Sequence, residues 1–105
     1  METYRHSLVL DALGDPTRRA ILELLRDGPK PVVELADALP VSRPAVSQHL
    51  RVLKQAGLVA DTAAGRRRLY AVHPAGLEAL RTYLEGLWSQ ALASYQRAAE
   101  REEER

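Results

Sequence analysis

Arg43, Ser47, Gln48, Arg51, Lys54 and Gln55 are spaced three and four residues apart, and no acid lies between residues 43 and 55. Their functional groups match those that read a nucleic-acid duplex. Arginine pairs with guanine through two parallel hydrogen bonds and glutamine pairs with adenine in the same way. Serine accepts or donates to either a base or a phosphate, and lysine neutralises phosphate. An ordinary solvated helix face could carry the same residues, so this segment alone leaves both readings open.

A helix is the element that places them together. At about 100° per residue, Ala45, Val46, Leu50, Val52 and Leu53 fall on one side, and Arg43, Pro44, Ser47, Gln48, Arg51, Lys54 and Gln55 on the other. Ser42 is suited to cap the N-terminus, Pro44 fits the first turn, and Gly57 fits the position just past the end. His49 projects from the middle of the apolar face. It is expected to be partly buried and hydrogen-bonded, with a phosphate contact or a pH-sensing role as the alternatives.

The next segment changes the balance. Within residues 58–72, two short β-prone runs flank a small Ala-Gly turn, a hairpin signal, with Arg66, Arg67 and Arg68 at and just after the tip. A basic hairpin tip can reach phosphates or the minor groove. Charge placement points the same way. The formal net charge of +1 conceals −2 over residues 1–39, +5 over 40–73 and −2 over 74–105. A local cationic excess of this kind is what counterion release from a polyanion requires.

Asp15-Pro16-Thr17-Arg18-Arg19-Ala20-Ile21-Leu22-Glu23-Leu24-Leu25, Val33-Glu34-Leu35-Ala36, Val46-Ser47-Gln48-His49-Leu50-Arg51-Val52-Leu53, Ala56-Gly57-Leu58-Val59 and Gly65-Arg66 follow one another in the order and spacing of the ArsR-type winged helix-turn-helix repressors. The chain resembles that family over roughly residues 4–98. The resemblance implies a mainly α fold with a small β-hairpin, in the order α-α-α-α-β-β-α, dimerising through the first and last helices. It also implies a homodimeric regulator of transcription that binds double-stranded DNA. The contact set expected on that basis is Ser42, Arg43, Pro44, Ser47, Gln48, Arg51, Lys54, Arg66, Arg67 and Arg68.

The remaining elements are read as scaffold. A first helix is expected over 4–13, with Leu8, Ala12 and Leu13 apolar and Gly14 ending it. Asp15 and Pro16 open a second helix whose core face is Ile21, Leu22, Leu24 and Leu25, stopped by Gly28-Pro29. Arg18 and Arg19, at its start, are expected to make structural ion pairs rather than DNA contacts. A short third helix should cover 32–39, bracketed by Pro31 and Pro40, with Val32, Val33, Leu35, Ala36 and Leu39 buried. His73 reads as a loop residue leading into a last helix from about Ala75 to near Glu100.

That last helix carries two apolar stripes. Leu77, Leu80, Leu84, Leu87 and Ala91 form a heptad-like seam, and Trp88, Leu92 and Tyr95 lie beside it. One isolated helix cannot hide both stripes from water, so one is expected on its own domain and the other on a partner, the alternative being that both fold back into the same small core. Because the resemblance implies a dimer built from the first and last helices, the expected interface residues are Tyr4, Leu8, Leu84, Leu87, Trp88, Ala91 and Tyr95.

Several functions are disfavoured. At 105 residues there is room for one small domain, taken as residues 1–105 with a charged, fraying tail from Glu100 to Arg105. The sequence has no cysteine, which removes disulfides, thiolate metal sites and thiol switches. No signal peptide or membrane span is visible, and a cytoplasmic location without membrane partners is expected.

Many members of the family resembled bind metals through a cysteine pair on the third helix or Asp/His pairs on the last. Here the third-helix positions are Pro31 and Val33, and the last helix lacks histidine. The expectation is therefore the metal-independent branch, with no metal and no cofactor and with any small-molecule effector unknown. No phosphate-binding glycine loop or nucleophile with a base argues for an enzyme. The competing function is a winged-helix protein-interaction module without DNA binding, which would show exposed aromatic or aliphatic anchors on the 43–54 face. RNA binding would favour an aromatic stacking platform, which is absent.

Overall fold

The computed structural model describes residues 2–104, with side chains from Arg5 onward. Five helices and one hairpin follow in the order α1 (Glu2–Leu13), α2 (Pro16–Leu24), α3 (Val32–Ala38), α4 (Arg43–Gln55), β1 (Val59–Ala64), β2 (Arg67–Val72) and α5 (Pro74–Glu103). This is the mainly α winged helix-turn-helix arrangement expected.

Local chemistry sets most boundaries. The Asp15 carboxylate accepts from the N–H groups of Thr17 at 2.8 Å and Arg18 at 3.2 Å, and Pro16 occupies the first turn of α2. A 3₁₀ turn, Leu25–Asp27, closes that helix. Arg18 and Arg19 cap the preceding helix instead of merely pairing with acids. Arg18 Nε donates to the Ala12 carbonyl at 2.7 Å and Nη2 to that of Asp11 at 3.2 Å, while Arg19 Nη1 donates to that of Leu13 at 2.7 Å. Carbonyls at a helix C-terminus have no intrahelical donor, so two guanidiniums supply what α1 lacks. The expected ion pairing survives only as a 3.9 Å approach of Arg18 to Asp15.

Val9, Ala12, Ile21, Leu25, Leu35, Val46, Leu50, Leu53, Ala56, Leu58 and Val59 form one continuous core. Val9, which the sequence pattern did not single out, is fully enclosed, and in α3 only Leu35 is, with Val32, Val33, Ala36 and Leu39 half-buried.

The last helix begins close to where it is expected. His73, the residue leading into it, is its N-cap, with Nδ1 accepting from Ala75 N–H at 3.0 Å. The helix runs to Glu103, a few residues past the expected end near Glu100, in keeping with the strong helix formers of its Ala-Ala-Glu-Arg-Glu-Glu end. Its first turns pack on the domain: Leu80 reaches the core and Tyr83 stacks on His6 of α1 at 4.0 Å. Beyond that the helix leaves the body. Leu77, Leu84, Leu87, Trp88, Leu92 and Tyr95 are all exposed, Trp88 to 69% and Tyr95 to 75%. Apart from Leu80, the residues of both stripes are left uncovered by their own domain.

Of the other residues expected at an interface, Ala91 is exposed and Leu8 is half-buried against the core, whereas Leu10 is the exposed apolar residue on α1. Tyr4 lies outside the described side chains.

Candidate nucleic-acid interface

The α4 helix is fixed at both ends by the chemistry read from its sequence. Ser42 Oγ accepts from Ala45 N–H at 3.3 Å, and Pro44 lies in the first turn. At the other end, Gly57 N–H donates to the Lys54 carbonyl at 3.0 Å and Leu58 N–H to that of Leu53 at 2.9 Å. That pair of bonds closes the helix with a left-handed residue, and Gly57 has φ of 75°. Val46, Leu50 and Leu53 anchor the inner face. Val52, expected inside, is 37% exposed at the edge of that face.

Ser42, Arg43, Pro44, Ser47, Gln48, Arg51, Lys54 and Gln55 are all exposed, forming an acid-free outer face. Among the described residues, the side chains of Arg43, Ser47, Gln48, Arg51, Arg66 and Arg67 have no hydrogen-bond or ion-pair partner. They are free to meet a ligand. His49 is half-buried, as expected, with Nδ1 3.4 Å from Nη1 of Arg18, so the inner side of α4 meets the guanidinium that caps α1.

The hairpin stands beside this helix. β1 and β2 pair antiparallel from Val59↔Val72 to Ala64↔Arg67, and Gly65-Arg66 make the two-residue turn. Its base is held twice more. Tyr70 exchanges both backbone hydrogen bonds with Lys30 at 2.9 Å, and His73 N–H donates to the Leu58 carbonyl at 2.9 Å. From Thr62 to Arg68 every residue is exposed, so the tip projects into solvent.

Lys54 and Arg68 differ from the other basic residues. Lys54 Nζ lies 2.7 Å from Asp61 Oδ1, and Arg68 Nε lies 2.5 Å from Asp61 Oδ2. The Asp61 side chain is only 5% exposed, against 57% and 59% for the two cations. Hydrogen bonds from Lys54 and then Arg68 hold its carboxyl at a pKa of about 2. Both cations were expected to be free for phosphate, but both are engaged within the chain. Sequence reasoning missed Asp61 as a structural element. Its one signal was its place as the sole acid in the basic segment.

Among the described residues no three His, Cys, Asp or Glu side chains come together. His6 stacks on Tyr83, His49 faces Arg18 and His73 caps α5. No helix among the described residues is long and apolar enough to cross a membrane.

The sequence profile described as "Bacterial regulatory protein, arsR family" matches residues 15–61, which run from the cap of α2 to Asp61. The chain is 58% identical over 96 residues to the HTH-type transcriptional regulator Rv2034 of Mycobacterium tuberculosis, covering 90% of each protein. It superimposes on the ArsR-like transcriptional regulator from Rhodococcus sp. RHA1 with a TM-score of 0.76 at 35% identity, over 94% of this chain and 97% of that one. It also superimposes on the homodimeric winged helix-turn-helix DNA-binding domain Mb0332 from Mycobacterium bovis, with a TM-score of 0.66 at 29% identity, over 88% and 81% of the two chains. The relatives matched are regulators of transcription, not enzymes.

Proposed function

Since this chain belongs to the arsR family of bacterial regulatory proteins, we propose that it is a homodimeric repressor that reads an imperfect inverted repeat in double-stranded DNA. The observation that carries the reading is the unpaired, acid-free outer face of α4 beside the free guanidiniums of the hairpin tip. In this account α4 enters the major groove and its N-terminal half, Arg43, Ser47 and Gln48, reads bases. Ser42 and Pro44 bring that end close to the backbone, Arg51 contacts phosphate, and Arg66 and Arg67 reach the flanking phosphates or minor groove.

Two copies are needed to hold two reading helices about 34–36 Å apart, one turn of duplex. The uncovered stripes of α5 supply the surface for that contact, with Leu84, Leu87, Trp88, Ala91 and Tyr95 at its centre and α1 alongside. The exposed anchors that a protein-interaction module would place on α4 lie instead on α5, which favours the DNA reading. Repression follows from occupying a promoter. The single core supports one domain over residues 1–105, and the DNA ligand implies a cytoplasmic protein. The scattered histidines and absent cysteines support regulation without metal, and the effector, if there is one, is unassigned.

Salt and substitution test this. Arg51, Arg66 and Arg67 give six free guanidiniums per dimer for the backbone. If each meets a phosphate, log affinity falls against log salt with a slope of about −5, or about 10³-fold between 50 and 200 mM. Gln48→Ala should lose about 1–3 kcal/mol on the preferred site with little change on random DNA. Arg67→Ala should weaken both alike. A flat salt response, or identical behaviour of the two variants across a library of sites, rejects the proposal.

A further inference from the structure

Asp61 is the only acid between residues 40 and 73, and it stands where a surface built for phosphate would be better without one. Its two oxygens serve two different elements: Oδ1 takes Lys54 from the last turn of α4, and Oδ2 takes Arg68 from β2. Since Asp61 itself is on β1, one nearly enclosed carboxylate joins three segments. Cross-strand register explains the reach. Asp61 pairs with Tyr70, so Arg68, two residues earlier on β2, is its diagonal neighbour on the same face.

The place of this contact along the hairpin matters. Val59 is buried at the base, Ala60 and Asp61 are half-buried, and everything from Thr62 to Arg68 is exposed. Beyond Asp61 only the strand ladder itself holds the wing. Four residues at about 3.3 Å each put the tip about 13 Å past this contact, so a tilt of about 10° there moves Gly65-Arg66 by about 2 Å. That displacement is enough to take a guanidinium off a phosphate oxygen.

We propose that Asp61 is a positioning residue that locks the wing to the end of α4 and holds Lys54 and Arg68 away from phosphate. The inference rests on the DNA-binding reading above. It accounts for an acid at the centre of the basic surface: the chain gives up general attraction for polyanions in return for a fixed angle between the reading helix and the wing. Lys54 and Arg68 thereby become struts, while Arg66 in the turn and Arg67 at the start of β2 remain free.

The test uses the purified full chain and two duplexes of equal length, one recovered by selection from a random library with the unmutated protein and one of random sequence. Affinity for each is measured from 50 to 200 mM salt. Asp61→Asn adds one net positive charge per protomer and releases two cations. Its slope on random DNA should steepen by about 2 to 4, and its preference for the selected duplex should fall about tenfold or more. Asp61→Glu, which keeps the charge, should restore the slope. A slope and preference both unchanged in Asp61→Asn overturn the proposal, as does either change without the other.

Should Asp61→Asn melt below the assay temperature, Arg67→Gln and Arg68→Gln are compared, since each removes one formal charge. Arg67→Gln should flatten the slope and leave the preference intact. Arg68→Gln should reduce the preference and flatten the slope less. Equal behaviour of the two overturns the proposal. If the unmutated chain enriches no duplex and binds none, the DNA reading itself fails and this inference goes with it. Steep, selective binding by the unmutated chain with an indifferent Asp61→Asn rejects the inference alone.

Discussion

One methyl group at Gly76 tests how the reading helix is tied to the rest of the chain. Gly76 is buried in the first turn of α5, and its N–H donates to the Gly57 carbonyl at 2.8 Å, where α4 ends. A Cβ at this position would lie 2.7 Å from the Ala56 carbonyl oxygen and 2.8 Å from both the carbon and the oxygen of the Gly57 carbonyl. All three are backbone atoms, so no side chain can rotate away and the helices must separate. Overpacking of this kind costs about 1–3 kcal/mol. The better helix propensity of alanine returns up to about 1 kcal/mol, and less near an N-terminus. The clash therefore wins, leaving Gly76→Ala less stable by about 1–2 kcal/mol, or about 5–15 °C in Tm for a chain of this size. Thermal melts followed by circular dichroism at one fixed protein concentration measure it, because a dimer's Tm varies with concentration. A Tm equal to or above that of the unmutated chain would refute the close approach of α5 to the end of α4.

Three further outcomes follow from particular contacts. The Asp61 carboxyl titrates in the folded chain at about 2, below its ordinary 3.8, so its stabilising contribution is present above about pH 4 and is lost as pH falls toward about 2. Acid unfolding curves of Asp61→Asn should lack that component, and superimposable curves would show that the pairs with Lys54 and Arg68 do not stabilise the fold. Trp88→Glu or Leu84→Glu should yield helical monomers by sedimentation that bind DNA weakly and without site preference, since an unpaired charge buried at an apolar contact costs about 3–5 kcal/mol; a variant that stays dimeric removes these residues from the interface. Zinc, nickel, cadmium or arsenite at stoichiometric levels should leave DNA affinity unchanged, whereas one tight zinc per subunit by calorimetry, lost in a His→Ala variant, would contradict regulation without metal.

What the sequence made legible was local. Ser42, Pro44 and Gly57 each act within a few residues of themselves, and so do Asp15 and Pro16. Their chemistry fixed the ends of α4 and the start of α2 before any packing was known. The hairpin was legible for the same reason, because its turn residues and flanking strands are contiguous. Features that depend on residues far apart were not legible. Val9 is buried because α1 crosses α2 and α4, and Val52 is exposed because the same face of α4 has an edge that nothing covers. Gly76 approaches Gly57 only after the whole hairpin intervenes.

The candidate contact set divided along the same line. Arg43, Ser47, Gln48, Arg51, Arg66 and Arg67 lie free where helix periodicity and turn position put them. Lys54 and Arg68 look identical to those residues by type and spacing, and only the register of β1 against β2 shows that they meet Asp61. Arg18 and Arg19 were expected to make ion pairs, but their main partners are the carbonyls of α1, which no side-chain pattern displays.

Selection of binding sites from a random duplex library by the purified, unmutated chain tests the central claim most directly. The account predicts an enriched inverted repeat whose half-site centres are about 10–10.5 base pairs apart, or a multiple of that spacing. Enrichment of no motif, or of a single asymmetric half-site bound as tightly as any repeat, would contradict it.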